Sequence, residues 1–113
     1  PTINGNGEQS RDFTYIENVI EANLKACLAD ETACGRAYNI AYGERITLNQ
    51  LYNKLADLLN SNIKPIYGPE RAGDVKHSLA NIENTKKYLK YNPKYDINQG
   101  LELAIEWYKK YLK

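Results

Sequence analysis

The sequence contains no methionine, only two cysteines and one histidine, and no long apolar run. Because translation begins with methionine, its absence predicts that these 113 residues were processed or excised from a longer protein. No apolar stretch approaches the ~18 residues of a membrane span, and no segment has the pattern of a signal peptide, which favours a cytoplasmic protein without membrane contact. The formal charge of +1 provides no broad basic surface for nucleic acid.

The side chains that usually perform catalysis are also scarce. Cys27 and Cys34 have no histidine or cysteine at metal-ligand spacing, which predicts idle or buried thiols and no metal site. His77 has no acidic or thiol partner nearby in the sequence, and such a histidine is more often structural or solvated than catalytic. We therefore predict that the chain itself contributes no catalytic residue.

The order of hydrophobic patterns indicates short strands between amphipathic helices. Thr47 with Gln50 three residues later has the pattern of a capping box and predicts the start of the second helix. After an irregular segment over 1–10, we predict strands over 12–16, 36–41 and 63–67, and helices over 17–30, 48–60, 81–91 and 97–113. This arrangement is typical of one α/β or α+β domain over residues 1–113, a small mixed sheet covered by about four helices.

The segment most informative about function contains Arg71-Ala-Gly-Asp74, followed by Ser78. A guanidinium can give two parallel hydrogen bonds to phosphate oxygens, and a carboxylate three residues later can accept from sugar hydroxyls. Gly73 would permit the tight turn between them. A solvated turn with an incidental ion pair is the alternative, because an Arg-x-Gly-Asp string alone is a weak signal.

Two further motifs precede this segment in the chain. Residues 5–16 read Gly-Asn-Gly-Glu-Gln-Ser-Arg-Asp-Phe-Thr-Tyr-Ile, and residues 35–41 read Gly-Arg-Ala-Tyr-Asn-Ile-Ala. In this order, the three motifs resemble the C-terminal, substrate-binding part of the extended short-chain dehydrogenase/reductases, namely the nucleotide-sugar epimerases and dehydratases. The resemblance extends over nearly the whole chain and is nearest to the UDP-N-acetylglucosamine 4-epimerase type.

The resemblance assigns roles to four residues. Arg11 and Arg71 correspond to arginines that bind the ligand diphosphate, and Asp74 corresponds to the acceptor for a ribose hydroxyl. Ser78 corresponds to a position beside the sugar ring, where a small side chain admits N-acetylated sugars and a bulky one excludes them. Ala72 replaces the proline that the family has in this motif, which loosens the turn but leaves both side chains available.

Other matches imply structural roles. Asp12 follows Arg11 in the first motif and is expected to fix the local backbone rather than bind ligand. Asn18 stands where the family often has aspartate, which preserves hydrogen bonding at the cost of a charge. Trp107 and Tyr108 match the terminal helix of the family and are expected in the core.

The resemblance also implies a second, missing half. The family holds NAD in an N-terminal Rossmann domain and uses a Tyr-x-x-x-Lys pair, neither of which this sequence contains. The whole enzyme would oxidise the sugar 4-hydroxyl to a ketone with NAD and reduce it from the opposite face. This chain would bind the UDP-sugar, bind no NAD, and be inactive alone.

Two alternatives remain open from the sequence. The same domain could serve another epimerase or dehydratase, acting on UDP-glucose, UDP-glucuronate or dTDP-glucose. It could also be a stand-alone binding module without enzymatic activity. The hypothesis of a longer protein differs from that of a stand-alone module in one prediction. It predicts exposed apolar area where the Rossmann domain would pack, and the chain could form a homodimer through this area.

Overall fold

The computed structural model describes residues 1–112. Within that range the chain forms four helices and four short strands, together with one short 3-10 helix, Glu31–Ala33. This confirms the mixed α/β class and the four helices. The strands are β1 (Thr2–Asn4), β2 (Ser10–Arg11), β3 (Ile46–Thr47) and β4 (Ile66–Gly68), and the helices are α1 (Ile16–Cys27), α2 (Leu48–Leu58), α3 (Glu83–Leu89) and α4 (Ile97–Tyr111).

The strands form two small ladders rather than the single mixed sheet that we predicted. Strand β1 pairs in parallel with β4, and β2 pairs antiparallel with β3, with Arg11 opposite Ile46. An isolated parallel bridge joins Ser10 to His77, on the other side of β2. Of the later two motifs of the sequence, the one that contains Arg71 and Ser78 is thus brought to β2 by tertiary pairing.

Capping boxes begin two of the helices. The predicted box at α2 is confirmed, since the Gln50 N–H donates to Thr47 Oγ1 at 3.1 Å and the Thr47 N–H donates to Gln50 Oε1 at 2.8 Å. Asp96 and Gln99 form a second box at α4, which the sequence analysis did not identify. Each box satisfies backbone donors that a helix start leaves unpaired.

The strand predicted over 12–16 is wrong. Strand β2 ends at Arg11, and α1 already begins at Ile16. Instead of continuing a ladder, the segment is fixed by Asp12, whose carboxylate accepts hydrogen bonds from the backbone N–H groups of Tyr42 at 3.1 Å and Gly43 at 2.9 Å. The structural role expected for Asp12 is confirmed.

The strand predicted over 36–41 is wrong as well, because this segment pairs with no other strand within residues 1–112. Instead, two of its backbone carbonyl oxygens accept hydrogen bonds from side chains. Thr85 Oγ1 donates to the Asn39 carbonyl at 2.6 Å, and the Tyr91 hydroxyl donates to the Ala41 carbonyl at 2.9 Å. A suitable side-chain pattern is therefore not sufficient for a strand without a partner edge.

The remaining boundaries differ by a few residues. The strand predicted over 63–67 is β4, which begins three residues later, and the segment predicted as irregular contains β1. Helix α3 ends before Lys90, whose left-handed backbone, φ 52°, cannot continue the helix. The prediction extends the last helix to Lys113, which lies outside the described residues.

The core is small and contains several polar groups with fixed partners. Its buried members are Ala22, Ala33, Ala41, Ile82, Leu89 and Tyr91. Burial, followed by the charges of Glu21 and Asp12, raises the pKa of Tyr91 to about 12, so the phenol remains a neutral donor at ordinary pH.

Asn18 is the polar residue that joins α1 to the segment before α4. It is fully buried, its Oδ1 accepts from the backbone N–H groups of Lys94 at 2.9 Å and Tyr95 at 3.2 Å, and its Nδ2 donates to the Tyr95 carbonyl at 2.8 Å. An aspartate could make the first two bonds but not the third. The amide therefore suits this site more completely than the carboxylate that the family often has.

Replacing Asn18 with alanine should lower the free energy of unfolding by about 3 kcal/mol, because two backbone donors and one acceptor lose their partner in a buried site. Asn18→Asp should cost less, about 1 kcal/mol, since it keeps both accepted bonds. Denaturant unfolding of the variants measures both changes. Asn23→Ala is the matched control, because Asn23 is an exposed amide on the same helix, and equal losses for Asn18→Ala and Asn23→Ala would contradict the assignment.

Much apolar surface remains exposed. Along α1 and at Leu28, the residue that follows it, the exposed fractions are 58% at Ile16, 50% at Ile20, 61% at Leu24 and 87% at Leu28. These residues, four apart in sequence, form an open apolar stripe. Such a surface is what the longer-protein hypothesis predicts. That hypothesis and the homodimer both remain predictions.

The end of α4 does not follow the expectation from the resemblance. Trp107 and Tyr108 are 54% and 53% exposed, so their predicted core placement is wrong for residues 1–112. They pack on each other edge to face, and Trp107 also contacts the Tyr111 ring at 5.0 Å between centroids. Over the same residues, no helix combines the length and apolarity that crossing a membrane would require.

Candidate functional site

Arg11 lies at the end of β2, and its guanidinium has two partners. Nη1 donates to the Ser10 carbonyl at 2.7 Å, and Nη2 forms an ion pair with the Asp74 carboxylate. The two charged side chains retain 27% and 37% of their exposure, so a ligand can reach both of them. The first and the third motifs of the sequence therefore meet at this ion pair.

The turn that carries Arg71 and Asp74 has the predicted form. The Asp74 N–H donates to the Arg71 carbonyl at 3.1 Å, and Gly73 has φ +77°. A Cβ on Gly73 would meet no atom within 4 Å, so the backbone conformation, rather than lack of space, is the reason for glycine here. The expectation that Gly73 permits a tight turn is confirmed.

Arg11, Arg71 and Asp74 line the same cleft, of about 410 Å³, which is within the size range of small-ligand sites. Its walls come from β1, from Gln9 and from the first turns of α2. The apolar side of the cleft is formed by Ile3, Leu48, Leu51 and Leu55. The cleft thus presents two guanidinium groups and one carboxylate beside an apolar wall.

A second recess adjoins this cleft across the Arg71–Asp74 turn. It measures about 280 Å³, shares Asn4, Gln9, Arg71 and Asp74 with the first, and extends to Lys76. Arg71 and Asp74 therefore line both hollows.

Ser78 is placed differently from the other three predicted residues. It is exposed and is not among the residues that line the cleft. Its backbone N–H donates to the Ser10 carbonyl at 3.0 Å. The structure therefore brings together Arg11, Arg71 and Asp74, and leaves the Ser78 side chain outside their cleft.

Sequence reasoning missed several residues of the cleft wall. Gln9 lies beside the arginines and donates from Nε2 to the Asn4 carbonyl at 2.6 Å. The apolar face of α2 was recognised from its periodicity, but periodicity does not show whether a helix face lines a core or a ligand cleft. Tyr52, on the same helix, lines the cleft and donates to the Ile63 carbonyl.

A larger hollow of about 530 Å³ lies elsewhere, between the segment after Tyr42 and the start of α3. Its charged lining residues are Glu44, Glu83 and Lys86, so carboxylates outnumber the single ammonium group. Burial, followed by the charges of Glu44 and Asp96, raises the pKa of Tyr42 there. An anionic ligand fits this hollow poorly, although it is the larger one.

The two cysteines and the acidic residues form no metal centre in the part of the chain that the structure describes. Cys27 and Cys34 are both free thiols. Both are also exposed, so the burial that we considered for them is wrong.

Residues 1–41 match the family described as NAD dependent epimerase/dehydratase. The UDP-glucuronate 4-epimerase of Thermodesulfobacterium geofontis is 32% identical over 109 residues, which cover 95% of this chain and 32% of that protein. The chain resembles one segment of an NAD-dependent epimerase. It spans about a third of the length of the curated relatives that it matches.

Solved structures give the same result for the fold. The UDP-glucose 4-epimerase of Thermotoga maritima, solved with UDP-glucose, has a TM-score of 0.91 and 34% identity over 99% of this chain and 35% of its own. The UDP-N-acetylglucosamine 4-epimerase of Methanobrevibacter ruminantium, in complex with UDP-N-acetylmuramic acid, has a TM-score of 0.88 and 36% identity over 97% of this chain and 34% of its own. These comparisons confirm the resemblance to nucleotide-sugar epimerases as a group.

Proposed function

We propose that the chain is the nucleotide-sugar-binding segment of an NAD-dependent UDP-sugar 4-epimerase. The observation that carries the proposal is the meeting of Arg11, Arg71 and Asp74 in one cleft, although these residues come from segments about sixty positions apart. A guanidinium pair suits a diphosphate, which offers several oxygens to donors fixed in a fork. The similarity to epimerases that act on UDP-sugars supports the same function.

In this proposal each part of the cleft contacts a different part of the ligand. Arg11 and Arg71 bind the diphosphate, and Asp74 accepts from a ribose hydroxyl. The apolar wall from α2 and Ile3 covers the faces of the ligand's rings. Burial of apolar area there adds affinity but does not fix the ligand's orientation, because the hydrophobic effect is not directional.

The chain's own residues do not fit the cofactor. A dinucleotide site needs a glycine-rich turn that opens a helix after a strand, and this sequence has none. NAD would therefore be held by another part of the polypeptide, in the Rossmann domain that the resemblance implies. This segment contributes recognition of the nucleotide and selection of the sugar, and we expect no turnover from it alone.

For the sugar, we propose UDP-N-acetylglucosamine and UDP-N-acetylgalactosamine. The similarity to the Methanobrevibacter enzyme supports this choice. The small, exposed Ser78 side chain agrees with it if the sugar extends out of the cleft toward this position, which the resemblance places beside the sugar ring. UDP-glucose and UDP-glucuronate are the second candidates, because epimerases named for these substrates are 34% and 32% identical to this chain.

Ser78→Tyr should reduce kcat/KM for N-acetylated UDP-sugars at least about tenfold, because a bulky ring would occupy the room that an acetamido group needs. Turnover of UDP-glucose should change much less. Steady-state assays of the full natural polypeptide with both sugar classes measure the ratio. Ser78→Ala, which keeps the side chain small, is the control, and an unchanged ratio in Ser78→Tyr would sink the sugar assignment.

Calorimetric titration of the full natural polypeptide with UDP tests the proposed function directly. We expect 1:1 binding that weakens at high salt, since charged groups carry much of the contact. Turnover assays with N-acetylated, neutral and glucuronate UDP-sugars then identify the reaction. A protein that binds no UDP and turns over no UDP-sugar would refute the proposal.

A further inference from the structure

Ser10 is a buried polar residue, 4% exposed, whose polar groups all have partners close to the Arg11–Asp74 ion pair. Its N–H donates to the Lys76 carbonyl at 2.9 Å, and its carbonyl accepts from the Ser78 N–H at 3.0 Å and from Arg11 Nη1 at 2.7 Å. Its hydroxyl Oγ lies 2.9 Å from Nδ1 of His77, within hydrogen-bonding distance. Ser10 is therefore the point at which β2 is joined to the segment that follows the Arg71–Asp74 turn.

The Ser10–His77 hydrogen bond lies behind the cleft. Successive side chains along a strand point to opposite faces, so Ser10 and Arg11 face away from each other. Ser10 and His77 are opposite each other in the parallel bridge and meet on one face, while Arg11 meets Asp74 on the other. The two contacts hold the same pair of segments from opposite sides.

The segment that bears Arg71 has little else to fix it. Every residue from 71 to 79 is exposed, so no buried side chain anchors this stretch to the core. When a diphosphate takes the Arg11 guanidinium, the ion pair between Arg11 and Asp74 is exchanged for ligand contacts. The backbone bridge and the Ser10–His77 hydrogen bond then remain to keep Arg71 beside Arg11.

We propose that His77 is a positioning residue for the phosphate clamp, that is, for the guanidinium groups of Arg11 and Arg71, and that it acts through its hydrogen bond to Ser10. The proposal rests on the function proposed above. The imidazole need not touch the ligand. It keeps the segment 76–78 in register with β2, and this register determines the separation of the two guanidinium groups that bind the diphosphate.

A catalytic role for the same pair does not fit the geometry. A serine nucleophile needs an accessible hydroxyl, yet Ser10 is buried and faces away from Arg11. A base of this kind is oriented by a third group, and within residues 1–112 the His77 ring has no hydrogen-bonded carboxylate. We therefore assign the Ser10–His77 hydrogen bond a positioning role and not a catalytic one.

The test compares His77→Leu, His77→Asn, Ser10→Ala and the double variant Ser10→Ala/His77→Leu in the full natural polypeptide. His77→Leu and Ser10→Ala should each weaken UDP binding about tenfold, the loss expected when one part-buried hydrogen bond that fixes a ligand-binding group is removed. His77→Asn, whose amide can replace Nδ1, should stay within about threefold of the wild type. The double variant should bind no more weakly than either single one, because both remove the same bond.

Two further measurements separate positioning from general destabilisation. Affinity for NAD should be unchanged in every variant, and backbone amide exchange of residues 74–78 in the ligand-free protein should accelerate in His77→Leu and Ser10→Ala but not in His77→Asn. If His77→Leu fails to fold, Ser10→Ala decides the matter, because it removes the same bond with a smaller change.

The outcomes distinguish this proposal from the proposed function. UDP affinity within twofold of the wild type in folded His77→Leu and Ser10→Ala overturns the positioning role alone. An equal loss of UDP and NAD affinity, or failure of His77→Asn to restore UDP binding, also overturns it. A wild-type protein that binds neither UDP nor pyrophosphate overturns the proposed function and, with it, the existence of a clamp to position.

Discussion

Replacing Arg11 or Arg71 with glutamine should each weaken UDP binding by about 10- to 100-fold, corresponding to the loss of charged hydrogen bonds to phosphate. Lysine should restore little of this loss at either position, because an ammonium group cannot give the two parallel bonds of a guanidinium. Calorimetry with UDP and with inorganic pyrophosphate measures the change. Both ligands should be affected, since both contain the diphosphate.

Arg45→Gln is the matched control for these variants. Arg45 is an exposed arginine next to β3, and it is absent from the lining of the cleft. The same change of charge there should leave UDP affinity within about twofold, since Arg45 is outside the cleft and salt screens an exposed charge. If Arg45→Gln weakened binding as much as the other two, the effect would reflect net charge, and the clamp would be refuted.

Asp74→Asn should have opposite effects on two ligands. The Asp74 carboxylate pairs with Arg11 and places a negative charge at the site proposed for the diphosphate. Neutralising it should therefore strengthen pyrophosphate binding about three- to tenfold, the scale of one charge interaction near a protein surface. UDP binding should instead weaken about tenfold, since an amide replaces a charged acceptor for the ribose hydroxyl.

The control for Asp74→Asn is Glu70→Gln. Glu70 lines the adjoining recess and carries the same charge, but it forms no ion pair with Arg11. It should alter both affinities by less than about twofold. Pyrophosphate and UDP weakened to the same extent in Asp74→Asn would show that Asp74 supports the clamp mechanically, which contradicts its role as a ribose acceptor.

These experiments call for the full natural polypeptide. The chain spans about a third of its relatives' length, and the apolar stripe of α1 is open to solvent. A cleft with walls from one segment only would give weaker binding than the complete site, because less of the ligand surface is buried. The variants above would then differ over too narrow a range to be informative.

The helices could be predicted from the sequence because their signals are local. A capping box uses two residues three positions apart, and an apolar face repeats every three or four, so Thr47 and Gln50 were sufficient to locate the start of α2. The turn at Arg71–Asp74 is equally local. Four consecutive residues determine it, and Gly73 takes the left-handed conformation for which glycine is suited.

Strand pairing could not be predicted in the same way. Strand β1 finds its partner β4 more than sixty residues away, and each contains only three residues, too few for a pattern. Conversely, residues 36–41 have the pattern of a strand but find no strand to pair with in residues 1–112. Two of their carbonyl groups accept hydrogen bonds from side chains instead of from a neighbouring strand. Whether an edge is present is a property of the tertiary fold.

The amino-acid sequence by itself determined the helices, the arginine turn and the similarity to nucleotide-sugar epimerases, since short-range residue chemistry carries all three. Only the tertiary structure decided that Arg11 and Arg71 share a cleft, that Ser78 lies outside it, and that Ser10 bonds to His77. The physical reason is distance along the chain. Contacts between segments separated by about sixty residues depend on how the whole chain packs, and no local pattern encodes their geometry.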